Sequence, residues 1–446
     1  MKESKYILLV AAHALIGILI FLARPLSKVY AVAMIAVGIY YVMKSRNKNH
    51  EVLYASAYIV GAEVFLRMTG GNILYESSKY VVMIFACMGM YYSGFSKNAI
   101  PFWIYLLLLV PGVMVATETL NLTTDIRKAI AFNITGPVCL GVSAIYCYTR
   151  KISLSHVNNI LLTLGLPVFT TTVYLILYTP DLKEVLTGTG SNNATSGGFG
   201  PNQVATLLGI GMFVFFSRLL FDSKSKVMFA VNLLILFNIT YRGLVTFSRG
   251  GMVTGFVMIL FLLGYTYFNT KNQGRYNLYK LLVFMSGAFL LTWLYTSSQT
   301  SGLIDKRYAN KDAAGRAKES QFSGREEIWN SEIEDFLDHP VFGVGVAKAL
   351  EIREEKTGGL IIASHSEISR MLAEHGMMGI VALMIVFFTP VFLFLDNKQH
   401  LYMFSFLFFW LLTINHAAMR IAAPAFVYSL SLLKVFMDET PAVHRQ

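Results

Sequence analysis

A histidine near the end of a long polar stretch is the first candidate for acid–base chemistry in this sequence. It is His365, in "SHSEISRMLAEHG" (364–376). Ser364 and Glu367 have the S-x-x-E spacing of a helix capping box, which predicts that His365 is the first residue of a helix. The positive dipole end and free N–H groups of a helix start disfavour an imidazolium, and a neutral histidine is what a general base needs. The alternative is a solvated histidine at a helix start.

Arginines supply a second kind of chemistry, the binding of an anion. Arg249 lies in "TFSRGG" (246–251), between two apolar runs, and Arg325 begins a helical stretch further along. Two guanidinium groups together would form a clamp suited to a phosphate or pyrophosphate, and the glycines after Arg249 would let a large head group approach the backbone. Arg242 lies two turns earlier and could face the same cavity. Alternatively, Arg249 marks a helix end by snorkelling, and Arg325 forms a surface ion pair.

Further polar side chains fall inside or beside apolar runs. Glu63 and Arg67 are four residues apart, so they share a helix face, either as an intramembrane salt bridge or as part of a polar site. His416 and Arg420 lie within or close to the membrane and are functional candidates for the same reason. Asn202, just before another apolar run, is a further candidate for a polar site.

The elements that must position these residues are membrane helices. Of 446 residues, 55% are hydrophobic and 14% charged, and the mean hydropathy is +0.54. These values are outside the usage of soluble domains, and apolar stretches long enough to cross a bilayer recur along the chain. The fourteen predicted spans lie near residues 6–23, 29–43, 52–68, 80–95, 100–117, 129–148, 154–178, 202–221, 227–247, 251–269, 279–297, 377–395, 401–418 and 421–437.

Basic loops orient the bundle. If the N-terminus is cytoplasmic, the alternate loops that carry most of the short-loop lysines and arginines are cytoplasmic too, as the positive-inside rule requires. These loops are 44–50, 149–151, 223–226 and 271–275. Arg249 then lies at the outer face. A second outer loop, 187–203, is rich in Gly, Ser, Thr and Asn and is predicted to be mobile.

One long gap in the apolar pattern, residues 298–376, predicts a folded outer loop. It holds 14 of the 26 acidic residues and 10 of the 37 basic ones, so the net charge of +11 comes from the membrane part and does not indicate nucleic-acid binding. Apolar residues recur at helical spacing in "REEIWNSEIEDFLD" (325–338), and "HPVFGVGV" ends that helix. A second helix is predicted from Ser364 to Gly376.

Motifs that are missing limit the chemistry. The sequence has no Walker A loop, no G-x-S-x-G, no H-E-x-x-H and no C-x-x-C, so ATP hydrolysis, acyl-serine chemistry and zinc hydrolysis lack their usual residues. The acidic clusters of the outer loop have the pattern of solvated helix faces. A site built on Arg and His, without a metal or cofactor, is therefore predicted.

The ordered motifs of the second half resemble those of the O-antigen ligase and O-antigen polymerase superfamily of bacterial envelope glycosyltransferases. They are "TFSRGG" between two spans, "GREEIW" followed by "HPVFGVGV" in a large outer loop, and "SHSEISRMLAEHGMMG" leading back into the membrane, with "GFGPNQVATLL" (198–208) as a weaker match. The resemblance covers residues 198–395. Many members have Asn after the histidine, where this chain has Ser366.

This resemblance implies roles for particular residues. Arg249 and Arg325, or Arg316 in place of Arg325, would bind the pyrophosphate of an undecaprenyl-pyrophosphate-linked glycan. His365 would deprotonate the acceptor hydroxyl. The expected fold is an all-α, GT-C-like polytopic membrane protein with about 12–14 transmembrane helices. Its expected parts are a bundle of about eleven spans at 1–297, a periplasmic loop with two or more helices at 298–376, and C-terminal transmembrane helices at 377–446.

The predicted activity is metal-independent, inverting transfer of the lipid-linked glycan at the periplasmic face of the bacterial inner membrane. An O-antigen ligase acting on lipid A-core is preferred, and a polysaccharide polymerase or a protein O-oligosaccharyltransferase would share the motifs. A transporter or flippase of lipid-linked sugars is the alternative from another class. Its pathway would use Glu63, Arg67, His416 and Arg420.

Overall fold

The chain folds almost entirely into α-helices. This computed structural model describes residues 2–179, 181–318, 325–359 and 363–437, with Arg325 described by its backbone only. The described residues form α1 (Glu3–Leu22), α2 (Leu26–Ser45), α3 (Glu51–Thr69), α4 (Ser77–Ser93), α5 (Ile100–Thr119), α6 (Ile126–Cys147), α7 (Leu154–Tyr178), α8 (Pro201–Phe221), α9 (Lys226–Leu244), α10 (Arg249–Asn269), α11 (Asn272–Gln299), α12 (Leu303–Tyr308), α13 (Arg325–Asp338), α14 (Lys348–Lys356), α15 (Glu367–Asp396), α16 (Met403–Ile414) and α17 (Ala423–Leu430).

Most of these helices can cross a membrane. Eleven of the described helices are long and apolar enough to do so, namely α1 to α3, α5 to α11 and α15. With 17 residues, α4 is about 25 Å long, at the lower limit for a span. The prediction of an all-α polytopic membrane protein is confirmed.

The last two predicted spans are much shorter helices than expected. α16 has 12 residues and α17 has 8, roughly 18 Å and 12 Å at 1.5 Å per residue, against about 30 Å of hydrocarbon. The two helices pack together as a hairpin, and every residue of α17 is buried. The sequence could not separate this arrangement from two spans because a helix buried in protein is as apolar as one that faces lipid.

A short parallel sheet joins the end of the described chain to one of the basic loops. β1 (Lys151–Ser153) pairs with β2 (Lys434–Phe436), with Ile152 opposite Val435. We call the end of the bundle that carries the loops 44–50, 149–151, 223–226 and 271–275 the basic face, and the opposite end the loop face. The chain after α17 therefore returns to the basic face, so the α16–α17 hairpin has its turn directed toward the loop face.

Helix α8 is at the centre of the bundle. It is buried along most of its length and packs against α7, α9 and α10. Its contact with α10 is made by small residues: a Cβ on Gly255 of α10 would lie 2.3 Å from the carbonyl oxygen of Gly209 on α8. Such a substitution would force the helices apart, since small residues in membranes serve to bring helix backbones together.

The described residues between α11 and α15 form three short helices, α12 to α14, at the loop face. α13 covers 325–338, as its apolar spacing predicts. The second predicted helix differs at both ends. Its N-cap is Ser366, whose hydroxyl accepts from the Ser369 N–H at 3.5 Å, and it continues into the membrane as α15. Gly376, the predicted stop, has φ 59° and interrupts the helix, which resumes directly after it.

Substitution of Gly255 by alanine tests the close contact of α8 and α10. We expect Gly255→Ala to lower the thermal unfolding midpoint in detergent by several degrees, because the added methyl group overlaps the α8 backbone. Gly264→Ala on the same helix is the matched control, since its added Cβ would meet no atom within 4 Å. Equal midpoints for the two variants would contradict the described packing.

Candidate active site

The turn between α16 and α17, residues 415–422, brings the candidate residues together. The Ala418 N–H donates to the carbonyl oxygen of His365 at 3.1 Å, and Arg420 donates to the carbonyl oxygen of Ser364 at 2.6 Å. The Ala422 N–H donates to Glu63 at 2.7 Å. The turn thus contacts α3 and the chain that leads into α15.

His416 connects the same turn to the start of α10. Its ring lies against Gly250, where an added Cβ would be 2.5 Å from the imidazole Cγ. The Nε2 atom of His416 is 3.1 Å from the Thr206 hydroxyl on α8, and Nδ1 is 2.8 Å from the carbonyl oxygen of Leu412. Gly250, next to Arg249, and His365 therefore both contact one turn although they are far apart in sequence.

The two glycines that follow Arg249 have a different role from the predicted one. Gly250 is covered by His416, and a Cβ on Gly251 would lie 2.2 Å from the backbone of Ala205 on α8. The interpretation that both glycines leave room for an anionic head group is therefore wrong. They are small because a side chain and a neighbouring helix occupy that space.

His365 lies before the helix rather than in it. Since Ser366 is the N-cap, His365 precedes the cap, and the predicted capping box from Ser364 to Glu367 is wrong. Ser364 instead donates to Glu332 at 3.1 Å. His365 is partly buried, and its backbone is held by the α16–α17 turn.

A group of cations gathers at the start of α10. Arg249, Arg307 and Lys318 form this group, which we call the cationic cluster. Burial raises the pKa of Tyr308 to about 12 against the opposing charges of Arg249 and Arg307, so both guanidinium groups are near that phenol. Burial and then the charges of Arg307 and Arg249 lower the pKa of Lys318. Three neighbouring positive charges favour the binding of an anion.

The backbone just before Arg249 is held in an unusual conformation. Phe247 is fully buried at φ 56°, a region that bulky residues seldom adopt. Its carbonyl oxygen accepts from Arg307 at 2.9 Å and from Ser191 at 3.4 Å. Ser191 belongs to the loop predicted to be mobile, and the Asn192 N–H donates to Thr246 nearby, so this loop packs against the segment that carries Arg249.

The other predicted donor-binding arginines have partners of their own, or their side chains lie outside the described residues. Arg316 is 82% exposed and pairs with Asp312 at 2.8 Å. Arg242 is buried and donates to the carbonyl oxygens of Thr179 and Ile176 at the C-terminal end of α7, where a cation is favoured. The side chain of Arg325 lies outside the described residues.

The intramembrane pair predicted on α3 is present and continues toward α8. Arg67 and Glu63 are 2.7 Å apart and both are buried. Arg67 also donates to Gln203 at 3.2 Å, and the neighbouring Asn202 accepts from the Ser248 hydroxyl at 2.8 Å. Of the residues predicted as a possible polar site, His416 and Arg420 thus belong to the α16–α17 turn, and Glu63 contacts it. Their functional role stays a prediction.

Glu332 of α13 fixes the chain on both sides of the histidine. Its carboxylate is fully buried and accepts from Arg353 of α14 at 3.2 Å. It also accepts from the hydroxyls of Ser364 at 3.1 Å and Ser369 at 2.5 Å. One carboxylate thus holds the residue before His365 and the first turn of α15.

A polar cavity of about 40 Å³ lies between α6, the start of α15 and the α16–α17 turn. This volume accommodates roughly three water molecules. Its charged lining residues are Glu332, Arg353, Glu367, Arg370, Glu374 and Arg420. Acids and bases are equal in number here, in contrast to the cationic cluster.

These features define a class of protein: a polytopic α-helical membrane protein with a polar site at the loop face. In the described residues, no group of three or more His, Cys, Asp or Glu side chains is arranged to hold a metal ion. That the reaction needs no metal stays a prediction.

Comparison with known proteins names the family. Residues 230–384, about a third of the chain, match the model of a protein family described as O-antigen ligase. The resemblance to the O-antigen ligase and polymerase superfamily is thereby confirmed over this region of the chain. The matched residues include Arg249, Arg307, Glu332 and His365. No curated protein and no solved structure matches the chain significantly.

Three residues of the assembled site were not among the predictions. Arg307 lies on a six-residue helix, too short to show an apolar period, and Lys318 follows a turn. Glu332 lies in an acid-rich helix whose other acids are mostly solvated. Only its position on the face of α13 that also carries Ile328 could have indicated its burial.

The buried position of Glu332 predicts a large loss of stability when its carboxylate is removed. We expect Glu332→Ala to reduce the free energy of unfolding by about 3 kcal/mol, since Arg353 and two hydroxyls lose their acceptor. Glu334→Ala is the control, because Glu334 is 66% exposed and its ion pair with Lys356 lies at the surface. Thermal unfolding and limited proteolysis in detergent measure the stability of both variants. Similar behaviour of the two variants would be incompatible with the described role of Glu332.

Proposed function

We propose that this protein is a glycosyltransferase that transfers an undecaprenyl-pyrophosphate-linked glycan to an acceptor hydroxyl. It would act at the periplasmic face of the bacterial inner membrane. The observation that carries the proposal is that the α16–α17 turn contacts both His365 and Gly250, the residue after Arg249, and that these residues lie in the region that matches the O-antigen ligase family. Positive-inside loops support the periplasmic placement of the loop face.

The cationic cluster provides the donor site in this proposal. Transfer leaves the pyrophosphate with additional negative charge as its bond to the anomeric carbon breaks. Fixed cations stabilise that charge most where water is partly excluded, and Arg249, Arg307 and Tyr308 are all partly buried. We assign Arg249 and Arg307 to the pyrophosphate, with Lys318 beside them. Arg325 remains a predicted further contact.

His365 supplies the base. Its imidazole takes the proton from the acceptor hydroxyl as the hydroxyl oxygen attacks the anomeric carbon. The bond from that carbon to the pyrophosphate oxygen breaks, and undecaprenyl pyrophosphate leaves with the electron pair. Attack from the face opposite the leaving group inverts the anomeric configuration. No metal is needed because guanidinium groups carry the compensating charge.

Among acceptors, we favour lipid A-core, which makes the protein an O-antigen ligase. A second lipid-linked repeat unit would make it a polymerase, and a protein hydroxyl would make it an O-oligosaccharyltransferase. Reconstitution with a lipid-linked glycan and each acceptor separately, with release of undecaprenyl pyrophosphate as the readout, distinguishes these activities.

Single variants test the assignment of the base and the donor cations. We expect Arg249→Ala and Arg307→Ala each to lower transfer at least about 100-fold, and His365→Ala to lower it by about 100-fold or more. Arg316→Ala is the matched control and should retain transfer, because its guanidinium is exposed and paired with Asp312. Transfer is measured in proteoliposomes with variants of equal thermal stability.

The outcome also decides between an enzyme and a transporter. A flippase of lipid-linked sugars would move the donor lipid without releasing undecaprenyl pyrophosphate, and His365→Ala would not change that movement. Full transfer by the His365 variant would remove this residue from the mechanism.

A further inference from the structure

Two aromatic rings at the loop face remain without a role in the proposed mechanism. Tyr75, in the loop between α3 and α4, lies 5.8 Å from Phe132 of α6, measured between ring centroids and at an interplanar angle of 37°. Tyr75 is 51% exposed and Phe132 is partly buried. We call this pair the aromatic platform.

Two arginine side chains, Arg67 and Arg420, pack against the rings of the aromatic platform. The guanidinium of Arg67 lies 4.5 Å from the centroid of the Tyr75 ring, and that of Arg420 lies 5.7 Å from the Phe132 ring. Both distances are in the range of cation–π interactions. Arg67 is also fixed by Glu63, and Arg420 by the carbonyl oxygen of Ser364, so the rings are placed against a rigid polar frame.

Polar groups lie directly beside the platform. Phe132 lines the cavity of about 40 Å³, together with Asn133, Ser364 and Arg420. An aromatic surface next to hydrogen-bonding groups suits a sugar ring, which presents C–H groups on one face and hydroxyl groups around its edge. Ring faces carry negative charge density and attract such polarised C–H groups.

The α16–α17 turn sets the order of these groups. His416 contacts Gly250 beside the cationic cluster, Ala418 holds His365, and Arg420 stacks on the platform. Along the turn, the base therefore lies between the cations and the aromatic rings. The cationic end suits a pyrophosphate, whereas the other end, where acids balance bases, suits an uncharged, hydroxyl-rich group.

We propose that Tyr75 and Phe132, with Arg420, form the subsite that binds the acceptor sugar and presents its hydroxyl to His365. This inference rests on the proposed function and narrows it. The acceptor is a glycan, so lipid A-core or a lipid-linked repeat unit fits and a protein hydroxyl does not.

Kinetics of the reconstituted protein test the subsite. We expect Tyr75→Ala and Phe132→Ala to raise KM for lipid A-core about fivefold or more while KM for the lipid-linked donor stays unchanged. Tyr75→Phe keeps the ring and should restore the acceptor KM. Tyr91→Ala is the control, since Tyr91 is 84% exposed at the basic face.

A binding measurement separates this inference from the proposed function. Saturation-transfer NMR with delipidated core oligosaccharide should detect binding to the His365→Ala variant and lose it when Tyr75→Ala is added. If the unaltered protein transfers glycan to no acceptor, the proposed function is overturned. The binding of core oligosaccharide would still show whether the aromatic platform binds a sugar. The subsite is overturned if the alanine variants leave the acceptor KM and core binding unchanged, if only the donor KM rises, or if a protein hydroxyl is the acceptor used.

Discussion

The structure depends on hydrogen-bond partners for the backbone N–H groups of the α16–α17 turn, which is buried between membrane helices. Away from water, every N–H group needs a partner within the protein, and the α16–α17 turn directs several of its N–H groups into the bundle. Glu63 and Glu367 accept from Ala422 and Met419, and the carbonyl oxygen of His365 accepts from Ala418. The turn can exist at that depth only because α3 and the start of α15 supply these acceptors.

The carboxylates that accept hydrogen bonds from the turn need partners of their own, because they are buried and charged. A buried carboxylate is costly unless it is paired and hydrogen-bonded, and Glu63 and Glu367 are paired with Arg67 and Arg370. Arg370 also pairs with Glu374 at 3.0 Å. A network that supports the turn thus reaches the cavity and the chain that carries His365. Structural stability and the placement of the proposed base therefore depend on the same residues.

Local patterns predicted the helices well and the contacts between them poorly. Apolar runs placed most of the long spans to within a few residues, although α11 and α15 begin earlier than predicted, and the apolar spacing of 325–338 predicted α13. The capping box at Ser364 failed because Glu332, on another helix, takes the hydroxyl of that serine. The glycines after Arg249 were assigned to a ligand because nothing in the sequence shows that α8 and His416 occupy the space.

By itself, the sequence determined that this is a polytopic helical membrane protein whose second half resembles the O-antigen ligase and polymerase superfamily, with Arg249 and His365 in the motifs that carry the resemblance. Hydrophobic length and motif order are local properties, so one chain is enough to read them. Only the tertiary structure decided that Arg307 and Lys318 join Arg249, that Arg316 is exposed and paired with Asp312, and that the last two apolar runs form a hairpin. These contacts join segments that are distant in sequence. Which segments meet in the folded chain depends on packing and on the pairing of buried charges.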